Sequence, residues 1–263
     1  MLHLRFIPLL LTSLWLLAWP AGASGGESAN YERGVAAFEK KDWPAAREAF
    51  EAVIESDQQI SNDLSFNLGN TLFREDKLGG AALWYRRALL LDPRDAAARQ
   101  NLRLIQRRTG SLEFAVGPGR TVASWLKHTQ WRWMLVASAW TGVLALAALG
   151  CLRLRGTARG WAWTLVALAV PAAGLAAWGM NARLDPGEAS RRAVVTQVGV
   201  TALSAPTDTA GVIIDLPPGS EVVTGEARET WTYVEIPGTT ARVGWVRSQS
   251  LSPLWPYSPE LIQ

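Results

Sequence analysis

Thiol and imidazole are almost missing from this chain, which has one cysteine and two histidines in 263 residues. Cys151 has no second cysteine to pair with, so no disulfide braces the fold, and at the end of an apolar run it reads as a small hydrophobe. So little imidazole and thiolate excludes His/Cys metal clusters and Ser/His/Asp triads. No pair of carboxylates stands in a setting that would tune it for acid and base work. The expectation is a protein that is not an enzyme and carries no cofactor and no metal.

Charge is also absent, from two long stretches. Residues 133–152, "WMLVASAWTGVLALAALGCL", hold 20 residues without a charge, and 161–181, "WAWTLVALAVPAAGLAAWGMN", are equally free of it. At about 1.5 Å of rise per residue, 20 helical residues reach about 30 Å, the thickness of a hydrocarbon core. Pro171 removes one backbone bond from the second stretch and is expected to kink it. Between them "RLRGTARG" carries Arg153, Arg155 and Arg159, and short basic loops stay on the cytoplasmic side. Trp125, Trp131 and Trp133 cluster at one end of the first stretch. Trp161 and Trp163 mark one end of the second and Trp178 the other, which are interfacial belt positions. Ser138 and Gly142, with Ala169, Ala173 and Ala177, have the small-residue spacing that lets two helices approach.

At the start of the chain, Arg5, an apolar run from Phe6 to Trp19, Pro20 and Ala21-Gly22-Ala23 fit a cleaved secretory signal of residues 1–23. An uncleaved anchor is the alternative, and both send Ser24 onward across the membrane. Such export argues against nucleic acid as the partner of a chain with formal charge +3 and pI near 9.3.

Residues 31–58 and 66–93 repeat one another: Gly34, Ala46 and Phe50 recur as Gly69, Ala81 and Tyr85, each 35 residues on. With Leu68, Ala88 and Pro93, this segment resembles the tetratricopeptide repeat family. The first unit departs from the pattern at Arg33, Ala37 and Gln58. Asp92-Pro93 is read as the N-cap and first residue of a fifth helix running to about Arg108, which covers the open end of the second unit. The resemblance implies a groove lined by the first helix of each unit. Repeat position puts Asn67, Asn70, Arg74 and Asn101 there, where asparagine can donate to and accept from an extended peptide backbone. Bridging between neighbouring helices is the other reading of these asparagines. Arg99, Arg103 and Arg107 form a basic stripe, read as a solvated face or as a contact for anionic head groups. "RTVASWLKHTQW", after Gly117-Pro118-Gly119, could lie in the interface through Val122, Trp125, Leu126 and Trp131.

After Arg192 come "AVVTQ", "GVIIDL", "SEVVTGEA", "TWTYVEI" and "RVGWVRS", with turn signals at Pro217-Pro218-Gly219, Glu229-Thr230 and Pro237-Gly238. The spacing predicts a small all-β barrel. "LPPGSEVV", "TWTYVEI" and "GWVRSQSL" in this order resemble the bacterial Src-homology-3-like domains. Trp231, Tyr233 and Trp245 are core residues or an aromatic surface for a ligand. The segment "VGVTALSAPTDTAG" brings no aromatic side chain, which speaks against ordinary proline-rich binding. In the tail, Pro253, Pro256 and Pro259 share one face of a polyproline helix, and Trp255 and Tyr257 are expected to pack on the barrel.

The expected architecture is a multidomain membrane protein: an all-α tetratricopeptide solenoid, a two-helix transmembrane hairpin and a small all-β Src-homology-3-like barrel. Its boundaries are a signal at 1–23, repeats at 24–110, an interfacial linker at 111–132, a span at 133–152, a cytoplasmic loop at 153–160, a second span at 161–181, a linker at 182–192, the barrel at 193–252 and a Pro-rich tail at 253–263. This order, with "NLGN" at 67–70 and "RALLLDPRDAAARQNL" at 87–102, resembles the E-type (BatE-like) proteins of the bacterial aerotolerance, or Bat, operon. The resemblance implies an inner-membrane scaffold with both soluble domains in the periplasm. Its implied companions are von Willebrand factor A-type Bat partners and a MoxR-type ATPase, in stress tolerance. A barrel that binds peptidoglycan and positions cell-wall enzymes is the alternative.

Overall fold

A computed structural model describes residues 29–57, 60–126, 128–151, 155–182, 186–238 and 242–256. The expected signal, the Arg153 end of the basic loop, and Tyr257 and Pro259 of the tail lie outside these residues.

Five helices form the first region: α1 (Ala29–Glu39), α2 (Trp43–Asp57), α3 (Asn62–Arg74), α4 (Leu78–Leu91) and α5 (Ala96–Thr109). Each unit closes where a glycine faces an aromatic ring. A Cβ on Gly34 would stand 2.5 Å from Phe50 Cε1, and one on Gly69 would stand 2.8 Å from Tyr85 Cδ1. Only glycine leaves room for the ring, which explains the spacing of the repeat. Ser61 caps α3 by accepting from the Leu64 amide at 3.0 Å. The fifth helix begins later than Asp92-Pro93 suggested. Asp95 is its N-cap, accepting from Ala97 and Ala98 at 2.9 Å, while Asp92 accepts from the Arg94 amide at 3.0 Å within the turn. Aspartate bonds an amide two residues on as readily as it caps, and the second aspartate is better placed to cap.

Among the described residues two helices, α7 (His128–Cys151) and α8 (Thr157–Asn181), are long and apolar enough to cross a membrane. The short α6 (Pro118–Ala123) precedes them. α8 continues through Pro171. Its buried positions are Ala162, Ala169 and Ala176, seven residues apart, together with Gly179. A Cβ on Gly142 of α7 would lie 3.5 Å from Ala169 Cβ, while one on Gly179 would meet the Trp131 ring at 2.6 Å. Small residues thus bring the helices together, at a seven-residue spacing in α8 instead of the expected four. Leu144, Leu146, Leu168 and Val170 point outward and are exposed.

Beyond α9 (Pro186–Arg191) the described residues form seven strands: β1 (Arg192–Val195), β2 (Val200–Leu203), β3 (Val212–Leu216), β4 (Glu221–Arg228), β5 (Trp231–Ile236), β6 (Arg242–Arg247) and β7 (Leu251–Pro253). They pair in the order β3-β2-β6-β5-β4-β1-β7, antiparallel throughout. β2 lies in "VGVTALSAPTDTAG", outside the five expected strand segments, because four residues ending in Ala-Leu give too short an alternation to announce a strand. Along β5, Val234 and Ile236 enter a core with Val195, Ala202, Leu216, Val222 and Val246, while Trp231 and Tyr233 take the opposite face.

The expected closed barrel differs from this sheet, which is open: β3 and β7 stand at its edges with no ladder between them among the described residues. β7 is only three residues long, and the chain then turns into the helical region. Leu254 and Val194 belong to the same buried cluster as Leu68, Tyr85 and Ile105. Trp255, 1% exposed, packs with Ile60 and Ala189, so the tail aromatic seats against the repeat and α9 and not on the sheet as expected.

Candidate binding surfaces

Of the four groove candidates, the structure brings two together. Asn70 on α3 and Asn101 on α5 meet at the Tyr85 hydroxyl of α4. That hydroxyl donates to Asn70 Oδ1 at 2.8 Å, and Asn101 Nδ2 donates to Asn70 Oδ1 and to the tyrosine oxygen, each at 3.1 Å. Burial, opposed by the Asn101 bond and the Arg74 charge, pushes the Tyr85 phenol up to about 12. Asn67 stands apart and donates to the Tyr31 hydroxyl of α1 at 2.9 Å. Arg74 is exposed at the end of α3, with its guanidinium 5.8 Å from the centre of the Trp43 ring. The asparagines therefore do bridge helices. Bridging occupies only part of each amide, since a primary amide has two donors and an acceptor with two lone pairs. Asn67, Asn70 and Asn101 remain partly exposed.

Sequence reasoning missed the seam between repeat and sheet. Arg87 of α4, 5% exposed, donates through Nε to the Leu254 carbonyl and through Nη2 to the Pro253 carbonyl, both at 3.0 Å. Its guanidinium also stacks 4.3 Å from the Trp84 ring centre. Arg86 Nη2 donates to the Gly219 carbonyl at 3.1 Å, and its Nη1 lies 3.7 Å from Glu113. Gly219 has φ +89° at the tip of the Pro-Pro-Gly turn, where a side chain would meet Ala82 Cβ at 3.1 Å and Ile105 Cγ2 at 3.4 Å. The signal was an Arg-Arg pair inside the otherwise apolar "LWYRRALLL" of α4. A solvated α4 would expose that pair on one face; here it faces backbone carbonyls of the sheet.

The predicted aromatic surface divides in two. Trp231 and Trp245 are buried with Leu203, while Tyr233 is half-buried against Trp245 at 5.2 Å between ring centres. Two arginines cover them: Arg247 lies 4.6 Å from the Trp231 ring and Arg228 lies 5.2 Å from the Trp245 ring. Arg247 Nη2 also bonds both Asp208 oxygens at 2.5 Å. Beside this ion pair a cavity of about 340 Å³ is lined by Gln197, Thr201, Asp208, Trp231, Arg247 and Ser250, among others.

An ionic joint ties the sheet and α9 to the short helix α6. Arg192 donates to Glu188 and to Glu221, each at 2.7 Å, and Arg120 of α6 bonds Glu188 from the other side. The Arg120 bond, opposed by partial burial and helped by Arg192, holds the Glu188 carboxyl below the usual carboxylate range.

Residues 31–101 match the tetratricopeptide repeat family. That span runs from Tyr31 to Asn101, so it contains all four groove candidates as well as Arg86 and Arg87. No curated protein and no solved structure matches the chain. Tetratricopeptide repeats generally mediate contacts between proteins, so the match suggests an interaction module over these residues.

Proposed function

We propose that this chain is a non-enzymatic adaptor of a bacterial inner membrane, anchored by the α7–α8 hairpin, which holds an extended segment of a partner protein in its tetratricopeptide groove. The observation that carries this reading is the division of the repeat into two faces. The sheet's contacts fall on α4 and on the part of α5 around Ile105, whereas Asn67, Asn70 and Asn101 sit on α3 and α5 and remain partly exposed. Amide side chains carry both donors and acceptors, which suits a peptide main chain. In this reading the repeat and the Src-homology-3-like sheet both lie in the periplasm, with the bend around Arg155 and Arg159 in the cytoplasm. The order of segments supports a place in a Bat stress-tolerance complex, beside von Willebrand factor A-type membrane proteins.

Arg74 gives the cleanest test, because it is exposed and its loss leaves the asparagine bridges intact. A photo-crosslinker placed at position 74 of the full chain in native membranes should trap a defined envelope protein. Arg74→Glu should abolish capture of that protein by affinity-tagged chain while leaving expression unchanged. Capture that survives both Arg74→Glu and Asn67→Ala would refute the groove.

The cavity beside Trp231 favours a second reading, in which the sheet binds peptidoglycan. Its mixture of an aromatic face with Thr201, Asp208 and Arg247 suits a sugar or a short wall peptide. Co-sedimentation of the detergent-solubilised chain with purified murein tests it, and an Arg247→Ala variant that sediments equally well argues against the cavity.

A further inference from the structure

We infer that the soluble body rests on the membrane through a foot made of Trp125, Arg94 and Arg132, which contacts anionic phospholipid head groups. The inference rests on the membrane-spanning reading of α7 and α8. Three contacts fix the height of this foot relative to the hairpin. The indole Nε1 of Trp131 donates to the Ala123 carbonyl at 2.9 Å, so the end of α6 lies beside the first turns of α7. A Cβ on Gly119 would lie 3.5 Å from Cζ2 of Trp178, so α6 also reaches the end of α8. Arg94, in the turn before α5, donates through Nη1 to Gln130 Oε1 at 3.4 Å, which brings the repeat down to the same level.

The indole of Trp125, two residues past α6, is left 67% exposed by these contacts. An exposed indole beside the first turn of α7, just ahead of its uncharged stretch, has the setting of an interfacial tryptophan, its ring among the acyl chains and its N–H among the head groups. Arg94, bonded to Gln130 of α7, and Arg132 of α7 are both exposed. Arg99 extends the basic edge one helical turn into α5, where its guanidinium donates back to the Arg94 carbonyl at 3.1 Å and braces that turn. Guanidinium groups at this height meet lipid phosphates, which they bind with paired hydrogen bonds. Of the basic stripe, then, the Arg94 end contacts lipid.

The test places nitroxide probes on the full chain, with Cys151→Ser as background, in nanodiscs containing phosphatidylglycerol or only phosphatidylcholine. Probes replace Trp125, Val143 in the middle of α7, and Val198, which lies beyond the end of β1 farthest from α9. The expected result is a several-fold lower collision rate with an aqueous nickel reagent at 125 than at 198, with 143 the most protected. The protection at 125 should be greater in phosphatidylglycerol, and Arg94→Glu with Arg132→Glu should erase that difference. A probe at 125 as accessible as one at 198, with 143 protected, overturns the foot and leaves the spans standing. Accessibility at 143 removes both readings together. Protection at 125 that is the same in both lipids overturns the head-group contact.

Discussion

The two faces of the helical repeat have opposite fates. The face built on α3 and α5 keeps an amide cluster partly open around the Tyr85 hydroxyl. The face built on α4 is closed by the chain's own sheet, with buried Arg87 holding the carbonyls of Pro253 and Leu254. A helical repeat has two extended surfaces to satisfy, and covering one from within the same chain leaves a single face for a partner. The repeat and the sheet, which the sequence presents as separate modules, are therefore one unit sharing a core that includes Leu68, Val194 and Leu254.

The largest expected effect breaks the closed face. Arg87→Met keeps the packing volume against Trp84 but removes the donor to the buried Leu254 carbonyl and to the part-buried Pro253 carbonyl, at a cost of about 2 kcal/mol. Urea unfolding of the purified chain in detergent measures it. Limited proteolysis should also release the segment after Leu251 earlier than in the unaltered chain. A change below about 0.5 kcal/mol would mean that the seam contributes nothing measurable.

A paired substitution on α4 sharpens the point. A Cβ on Gly79 would stand 2.5 Å from the Thr196 carbonyl oxygen and 2.7 Å from that of Val195, whereas one on Gly80 would meet only Leu72 Cδ1 at 3.4 Å. Gly79→Ala should cost about 2 kcal/mol, because backbone cannot yield as a side chain can. Gly80→Ala should be neutral or stabilise by up to about 1 kcal/mol through helix propensity. Equal effects at the two positions would remove the sheet from α4.

The smallest effect tests the open face. Tyr85→Phe removes the hydroxyl shared by Asn70 and Asn101 and should cost about 1 kcal/mol. The folded phenol, held near 12 by burial, keeps its proton where the unfolded chain, with an ordinary tyrosine pKa near 10, has begun to lose it. Its contribution is thus fully present below pH 10 and is lost as pH rises toward 12. Thermal melts between pH 9 and pH 12 should show this alkaline decline in the parent chain and a shallower one in Tyr85→Phe.

The helices were legible because their signals are local or periodic. The 35-residue recurrence of Gly34, Ala46 and Phe50 located the paired helices, and 20 uncharged residues in a row located α7. β2 escaped because Val200–Leu203 is held as a strand by β3 and β6, which lie elsewhere in sequence. In the candidate groove, repeat position selected the asparagines. It gave no hint that Asn70 and Asn101 converge on Tyr85 while Asn67 turns to Tyr31. Arg87 stood out as half of an Arg-Arg pair in an apolar helix, but what buries it did not, because its acceptors lie 166 and 167 residues away.

By itself the sequence determined the paired helices, most of the strands and the two segments apolar enough for a bilayer, since periodicity, caps and charge-free length act over a few neighbouring residues. Only the tertiary structure decided that the sheet closes one face of the repeat, that it stays open between β3 and β7, and that Trp255 leaves it for Ile60 and Ala189. Those outcomes depend on which surfaces a chain can bury and which distant carbonyls a buried guanidinium can satisfy, and a buried charge is tolerable only where such partners arrive together.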